Sequence, residues 1–356
     1  MIFVFRKTFY KPFGDVIKSL NNNNLDSIKP YINHNDEIGQ LSGLIEDFFK
    51  QRISLQNEIE ERKLIMAQIA EKNEELLQQN EEIQTLNEDI TQQKEIIERV
   101  HKNITDSINY AKTIQEALLT SNELMHKYLK DSFLIFKPKE VVSGDFYYIN
   151  KIGDNLIFTV ADCTGHGVPG GFMTILGISY LHQIVDKEIT FDAGDILNKL
   201  RERFKKLFRT FGSQNTNGLD IVLCSVNLKT NILQYAGANN PLYIISENEL
   251  YTYKATKNPV GYYPKEIEFK STEIHLENND ILYLCSDGYR DQLGGKLSRS
   301  FTSKKFNEMI FENHEKPLEE QKQILEDTLY EWRNGFEQID DIAILGVRWK
   351  IDNEIS

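Results

Sequence analysis

A heptad repeat of apolar residues runs from Leu55 to Leu118, a stretch with neither proline nor glycine. The d positions are Leu55, Arg62, Ile69, Leu76, Ile83, Ile90, Ile97, Ile104, Ala111 and Leu118. The a positions are Ile59, Met66, Asn73, Asn80, Asn87, Lys94, His101, Ile108 and Gln115. An apolar d column over so many heptads predicts a coiled coil, and asparagines at a favour one register over maximal stability. We therefore predict a parallel homodimer over residues 51–120, with a rod roughly 95 Å long.

The negative charge of the chain is concentrated on this predicted rod. The 356 residues carry 41 basic and 54 acidic side chains, a formal net charge of −13. Between Glu58 and Arg99 there are 12 acidic and 5 basic residues, so much of the acidity belongs to a solvated helix surface. Such a chain is not expected to bind nucleic acid. The alternative for the polar a column is a surface helix that packs against the rest of the protein.

Residues 1–50 have a mixed composition. Pro12 opens a possible helix to Leu20, and the segment Asp36–Leu41 (Asp-Glu-Ile-Gly-Gln-Leu) precedes a second amphipathic run. This arrangement resembles a degenerate HAMP signalling module, whereas the alternative is simple acidic charge at a helix N-terminus. The apolar stretch Met1–Phe5 is too short to cross a bilayer, which needs about 20 residues. It is either a frayed tail or a juxtamembrane end, so we expect a cytoplasmic protein, membrane-associated only if a membrane segment precedes this sequence.

Beyond Asp131 the apolar residues alternate with period two, which predicts strands. The predicted strands are Phe133–Phe136, Phe146–Ile149, Leu156–Asp162, Leu219–Asn227, Ile232–Ala236, Leu242–Ser246, Ile267–His275, Ile281–Ser286 and Ile342–Arg348. The predicted helices are Gly171–Val185, Ala193–Phe208, Lys304–Asn313 and Leu318–Asn334. Strands grouped in runs and separated by pairs of helices favour a layered α+β fold over a doubly wound sheet.

Aspartates stand at four places where a predicted strand begins or ends. These are Asp145 before Phe146–Ile149, Asp162 after Ile157–Ala161, Asp287 after Ile281–Ser286, and the pair Asp340 and Asp341 before the last strand. A single carboxylate in such a place is usually a turn residue or a helix cap. Several that converge on one sheet edge repel one another and should become neutral or bind cations. Ligands that are all oxygen favour Mg²⁺ or Mn²⁺ over zinc.

Four short motifs around these aspartates resemble those of one protein family. They are Ser143–Phe146 (Ser-Gly-Asp-Phe), Asp162–Gly167 (Asp-Cys-Thr-Gly-His-Gly), Ser286–Gly288 (Ser-Asp-Gly) and Asp340–Ile342 (Asp-Asp-Ile). In this order they look like the SpoIIE-type branch of the metal-dependent PPM family of protein phosphatases, which are similar to protein phosphatase 2C. The likeness covers residues 128–350. It implies an α-β-β-α sandwich of two antiparallel sheets, preceded here by the long α-helical coiled coil.

The resemblance also implies a site for two Mn²⁺ or Mg²⁺ ions. Its ligands would be Asp145 for the first ion, Asp162 as the bridge, the carbonyl of Cys163, and Asp287 and Asp340 for the second ion. Asp341 is the alternative to Asp340, because one sequence does not separate adjacent aspartates. The two ions would activate a water for in-line attack on a phosphoryl group, with Asp162 at the catalytic centre.

His166 has two interpretations in this pattern. In the eukaryotic protein phosphatase 2C branch the metal aspartate is followed directly by Gly-His-Gly, and the histidine is proposed as a proton donor. Here Cys163 and Thr164 intervene, so His166 is either a catalytic acid or a structural turn residue. No residue of this sequence matches the arginine with which that branch holds phosphate.

The sequence as a whole predicts a metal-dependent serine/threonine phosphoprotein phosphatase in bacterial signal transduction. The segment Asp106–Ala117 resembles the linker helix that enters such domains, so the rod could pass a signal to the catalytic domain. By family analogy the substrate is a phosphorylated regulatory protein such as a STAS-type anti-anti-sigma factor. Two alternatives stay open: a non-catalytic coiled-coil scaffold, and a di-metal hydrolase of small phosphate esters.

Overall fold

The chain folds into two compact units, divided between Arg99 and Val100. The computed structural model describes residues 9–187, 190–210 and 218–351. The apolar stretch Met1–Phe5 lies outside the described residues. The two units are therefore treated in turn.

The first unit is helical. Helix α1 (Lys11–Asn22) has Pro12 in its first turn and ends at Asn23, which adopts the left-handed conformation with φ 54°. A short 3₁₀ turn at Lys29–Tyr31 follows, and α2 (Glu37–Leu118) then begins. A small core of Val16, Ile28, Ile45 and Phe49 joins the two helices. This core stabilises only the beginning of α2, because its later apolar residues have no such cover.

Helix α2 contains the whole predicted heptad repeat in one uninterrupted helix. Its apolar d residues from Leu55 to Ile104 are each 53–67% exposed. Downstream both columns of the seam change: Ala111 and Leu118 at d and Ile108 at a are half-buried, and Gln115 at a is buried. Leu118 packs against a core of the second unit. The repeat thus forms an exposed apolar stripe upstream and a docked face at its end.

The second unit continues with α3 (Asn122–Tyr128) and two antiparallel sheets. In the described part of the chain the strands are β1 (Ser132–Lys137), β2 (Asp145–Ile152), β3 (Asn155–Cys163), β4 (Gly218–Asn227), β5 (Ile232–Ala238), β6 (Leu242–Ser246), β7 (Glu249–Tyr253), β8 (Val260–Gly261), β9 (Thr272–His275), β10 (Ile281–Cys285), β11 (Leu293–Gly294), β12 (Arg299–Ser300) and β13 (Ile342–Arg348). One sheet has the order β1-β13-β10-β6-β7. The other has the order β2-β3-β4-β5-β9, with β8 paired to β4.

Helices cover the outer face of each sheet. They are α4 (Gly167–His182) and α5 (Ala193–Thr210) on the six-stranded sheet, the short α6 (Gly288–Asp291), and α7 (Ser303–Glu312) and α8 (Leu318–Arg333) on the five-stranded sheet. One core lies between the two sheets, and one lies beneath each helical layer. The predicted α-β-β-α sandwich is therefore confirmed.

The burial of both sheet faces explains the long apolar runs in the sequence. In β3, Phe158 faces the core between the sheets, whereas Ile157 faces the helices. In β13, Leu345 and Ile344 divide in the same way. A strand buried on both faces needs apolar residues at successive positions. The segment Gly167–Lys187, which begins with α4, contains an 18-residue window that is apolar enough to cross a membrane, but half of that window is buried inside the domain.

Candidate active site

Three aspartates stand side by side on the six-stranded sheet. Asp145 at the start of β2 pairs in register with Asp162 near the end of β3. Asp162 in turn pairs with Asp220 of β4. Because neighbouring strands lie about 4.8 Å apart, this register places three carboxylates in one row.

The five-stranded sheet brings its own aspartates to the same end of the sandwich. Asp287 follows β10, and Asp340 precedes β13. Ser286 lies between the sheets and its hydroxyl donates a 2.6 Å hydrogen bond to Oδ2 of Asp145. A cavity of about 230 Å³ opens here; its lining is Asp162, Cys163, Thr164, Gly165, His166, Asp220 and Asp340. Of the predicted site residues, Asp162, Cys163, His166 and Asp340 thus line one cavity, and Asp145 is linked to the end of β10 through Ser286.

Asp145 is the most deeply buried member of the cluster, with 1% of its surface exposed. Among the residues that the structure describes, its Oδ1 atom has no hydrogen-bond partner. Burial raises the pKa of Asp145 well above its usual range, and the hydrogen bond from Ser286 only partly opposes this effect. The pKa of Asp162 is also raised well above its usual range, by burial first and then by the charges of Asp145 and Asp287. A proton or a cation is needed to stabilise these groups.

A buried arginine partly offsets the negative charge. Burial raises the pKa of Asp287 and the charge of Asp291 adds to it, whereas Arg290 and a hydrogen bond with Asp162 lower it. The Arg290 guanidinium donates to Oδ1 of Asn240 at 2.9 Å, and its Nε has no partner in the described part of the chain. Arg290 is 8% exposed, so its charge acts on Asp287 from within the protein and not from the solvent side.

Asp220 is a site residue that the sequence interpretation left without a role. Its Oδ1 accepts a 2.8 Å hydrogen bond from the side chain of Asn239. Burial raises the pKa of Asp220 to about 6, against the opposing effects of Asn239, Lys257 and Arg290. The sequence alone does not place Asp220 opposite Asp162, because that position depends on the register of β3 and β4.

The adjacent residues Asp340 and Asp341 have different surroundings. Both carboxylate oxygens of Asp341 are occupied: Oδ1 accepts from the Lys139 amide and Oδ2 from the Gly144 amide, each at 2.7 Å. Asp340 lines the cavity, and its Oδ1 accepts only the amide of Asp341 at 2.9 Å in the described structure. Asp341 therefore holds the loop before β2 in place, whereas Asp340 has carboxylate capacity left for the cavity.

His166 lies on the cavity wall and is paired with Glu140. Its Nδ1 lies 2.6 Å from Oε1 of Glu140, and both side chains are about half exposed. A carboxylate at Nδ1 fixes the ring and leaves Nε2 available. Glu140 carried no signal in the sequence, because it lies 26 residues from His166 and outside the four motifs.

Gly144 is required by close packing beneath the cavity. A Cβ atom at this position would lie 2.5 Å from the carbonyl oxygen of Gly165 and 3.3 Å from that of Cys163. No side chain fits there, so glycine lets the loop before β2 approach the loop after β3. The Cys163 thiol is buried and near the Thr174 hydroxyl, at 3.9 Å.

The end of α2 contacts the loop that carries Asp145. Gln115 is 3% exposed, and its side-chain amide donates to the Ser143 carbonyl at 2.6 Å. Its Oε1 accepts from the Ser143 amide at 3.0 Å. One side chain thus satisfies both backbone groups of the residue two positions before Asp145.

The donor set fits hard divalent cations, although the side chains do not already surround one point. Within the described ranges, no three acidic, histidine or cysteine side chains stand close enough to hold one ion. Oδ1 of Asp145 nevertheless lacks a hydrogen-bond partner among the described residues, and the carboxyl groups of Asp162 and Asp287 are in contact. A cation would stabilise both arrangements. Every candidate donor is oxygen, the preference of Mg²⁺ and Mn²⁺.

Comparisons with known proteins agree on one family. A family model described as stage II sporulation protein E (SpoIIE) matches residues 152–350. The SiaA-PP2C domain of Pseudomonas aeruginosa is similar with a TM-score of 0.65 at 30% identity, covering 70% of this chain and 99% of that domain. The phosphoserine phosphatase RsbU of Bacillus subtilis (strain 168) is 22% identical over 257 residues, 70% of this chain and 71% of that protein.

A further structure supports the fold alone. It contains the PP2C phosphatase domain of SpoIIE from Bacillus subtilis with a fragment of its regulatory domain. The TM-score is 0.52 at 18% identity, covering 63% of this chain and 62% of that one.

Proposed function

This chain belongs to the SpoIIE family and is a protein serine/threonine phosphatase, and we propose that it acts on phosphoserine or phosphothreonine of a regulatory protein in bacterial signal transduction. The observation that carries this proposal is the convergence of carboxylates from both sheets on one cavity, with the buried, half-unpartnered Asp145 behind it. The name of the relative, phosphoserine phosphatase RsbU, supports phosphoserine as the residue from which phosphate is removed. A STAS-type anti-anti-sigma factor is the substrate that the family resemblance suggests.

We propose two ions, Mn²⁺ or Mg²⁺, as the resident metals. Asp162 would bridge them, Asp145 and the Cys163 carbonyl would serve the first, and Asp287 and Asp340 the second. Asp220 is an added candidate, because it faces Asp162 in register. When bound, such ions supply a water activated for attack and positive charge for the phosphoryl oxygens.

The residues of the chain then divide the remaining work. The Ser286 hydroxyl donates to Oδ2 of Asp145 and fixes the carboxylate, which leaves Oδ1 to hold an ion. We assign His166 the role of proton donor to the serine oxygen that leaves, with Glu140 holding its Nδ1 atom. We assign Asp341 a structural role and Asp340 the ligand role, because each oxygen of Asp341 already accepts a backbone amide.

The exposed stripe of α2 supports a homodimer through a parallel coiled coil. Seven apolar d residues more than half exposed over Leu55–Ile104 are costly in water and are covered by pairing with a second copy. We also propose a cytoplasmic location, in which the three buried cysteines Cys163, Cys224 and Cys285 remain free thiols.

The decisive experiment is Mn²⁺-dependent phosphate release from a phosphoserine peptide by the full chain. Asp162→Asn and Asp287→Asn should each lower turnover by roughly a thousandfold, because each removes a carboxylate needed for the ions. Asp154→Asn is the matched control, because Asp154 is an exposed carboxylate in the β2–β3 turn, at the far end of both strands. Equal activity in all four proteins would refute the proposal.

A second substrate separates the alternatives. Faster turnover of p-nitrophenyl phosphate than of the phosphopeptide, at equal concentration, would favour a hydrolase of small esters. A folded dimer without activity on either substrate, with Mn²⁺ present, would favour the scaffold.

A further inference from the structure

The loop Lys257–Ile267 is tied at its base by one buried asparagine. Asn258 is 1% exposed. Its side-chain amide donates to the carbonyls of Lys257 at 2.9 Å and Lys265 at 3.2 Å, and its Oδ1 accepts from the Ile267 amide at 3.2 Å. The base of the loop is thus fixed independently of its exposed side chains.

The loop borders the catalytic cavity through β8. Val260 pairs with Leu219, and Gly261 with Gly218. The Gly218 carbonyl accepts hydrogen bonds from the amide and the hydroxyl of Thr164, at 3.0 and 2.9 Å, and Thr164 lines the cavity. Directly after Gly261 come two exposed tyrosines.

Tyr262 and Tyr263 are 37% and 40% exposed. Aromatic rings held on a fixed loop provide a large contact area at little cost in side-chain entropy. Because they lie next to the cavity and not in it, a small phosphate ester would not reach them. A polypeptide around a phosphorylated residue would.

Lys257 lies on the Asp220 side of the same cavity. Its ammonium donates to the Asn239 carbonyl at 3.4 Å, and the Asn239 side chain donates to Asp220. The other cation near this cluster, Arg290, is buried and bonded to Asn240, whereas Lys257 is exposed. Of these two cations, Lys257 is therefore the one that a substrate can touch.

We propose that three side chains of the Lys257–Ile267 loop, those of Lys257, Tyr262 and Tyr263, form the docking surface for the phosphorylated segment of a protein substrate. Lys257 contacts the phosphoryl group as it enters an otherwise acidic cavity, and Tyr262 and Tyr263 pack against the residues that flank it. A phosphoserine carries a charge near −2 at neutral pH, for which a single accessible ammonium is a strong attractor. This inference rests on the proposed phosphatase function and deepens it.

The test compares KM and kcat of wild type, Lys257→Met and Lys265→Met on a phosphoserine peptide with Mn²⁺. Lys257→Met should raise KM roughly tenfold, the loss expected for one charge-assisted contact, and should weaken the salt dependence of kcat/KM. Lys265 lies in the same loop and is equally exposed, so Lys265→Met should match wild type. Tyr262→Ala with Tyr263→Ala should raise KM for the peptide and leave KM for p-nitrophenyl phosphate unchanged.

Binding separates failure of this inference from failure of the phosphatase proposal. The probe is a fluorescein-labelled phosphoserine peptide, followed by anisotropy with Asp287→Asn protein, with and without Lys257→Met. Weaker binding with Lys257→Met, together with an inactive wild type, would keep the docking surface and refute the hydrolytic function. Unchanged KM and unchanged binding in the Lys257→Met proteins, with an active wild type, would overturn the docking surface alone.

Discussion

The two units of this protein treat their apolar residues in opposite ways. In the catalytic unit, residues such as Phe158 and Leu345 are fully buried between the sheets. In the helical unit, Ile83 and Ile90 of α2 are 57% and 54% exposed. The catalytic unit therefore contains its own stabilising core, whereas most of α2 in the helical unit leaves its apolar stripe exposed.

The end of α2 shows the same contrast within one repeat. Ile104 is 53% exposed, whereas Gln115, which belongs to the same predicted seam, is buried against Ser143. A seam that packs on the catalytic domain is not free to pair with a second helix at the same positions. The repeat therefore predicts where the helix has an apolar face, and tertiary contacts decide what that face meets.

The largest expected effect comes from placing charge in the exposed stripe. Ile83→Asp with Ile90→Asp should abolish dimerisation at micromolar concentration, since four carboxylates would be buried in each paired rod. Light scattering after gel filtration measures the mass. Thr85→Asp with Gln92→Asp, at f positions of the same heptads, is the control and should remain dimeric. A dimer that survives the first pair of changes would break the comparison.

Truncation of a buried ring should act on the catalytic unit alone. Phe158→Ala should lower its free energy of unfolding by about 3–5 kcal/mol, through lost burial and a residual cavity. Ile83→Ala should leave the same urea transition unchanged, because Ile83 lies outside that core. The transition is followed by tryptophan fluorescence, since Trp332 and Trp349 both belong to the catalytic unit. Equal destabilisation by the two changes would show that the units are not independent.

A smaller effect on stability is expected at the end of α2, which belongs to the catalytic unit. Gln115→Leu should cost about 1–3 kcal/mol, because it leaves the buried amide of Ser143 without its acceptor, whereas the Ser143 carbonyl keeps the hydrogen bond from the Thr174 hydroxyl at 3.0 Å. Turnover should also fall several-fold, because Ser143 lies two residues before Asp145. Gln92→Leu, on the exposed part of the same helix, should change neither quantity. Normal turnover of Gln115→Leu would limit Gln115 to a structural role.

The smallest change separates two neighbours within the catalytic unit. Asp340→Asn should weaken Mn²⁺ binding about tenfold, whereas Asp341→Asn should mainly lower stability, by about 1–2 kcal/mol, through the loss of an amide acceptor. Isothermal calorimetry measures the first quantity and urea denaturation the second. The reverse pattern would exchange the two roles.

Several parts of the fold could be predicted because they depend on local pattern. The helix of the heptad repeat and the aspartates at strand ends follow from spacing, whereas the two packed sheets were implied by the resemblance to the phosphatase family. The strand predicted over Ile267–His275 is observed only as Thr272–His275, because the Ile267 amide is taken by the Asn258 side chain. Strand β7 was not predicted at all, since this edge strand is mostly exposed and carries Glu249.

The parts of the site that escaped prediction depend on contacts between distant segments. Asp220 acquires its place only through register with Asp162. Glu140 and Gln115 reach partners 26 and 28 residues away. Asp340 and Asp341 are identical in type and adjacent in sequence, so only the backbone amides around them distinguish their roles.

The carboxamide of Gln115 also bears on how the protein would behave in a cell whose internal salt changes. An uncharged hydrogen-bonded contact is not screened by ions, whereas the ion pairs along α2, such as Arg62 with Glu58, are exposed and weaken as ionic strength rises. A rise in ionic strength should therefore weaken the ion pairs of α2 and leave the hydrogen bond between Gln115 and Ser143 unchanged.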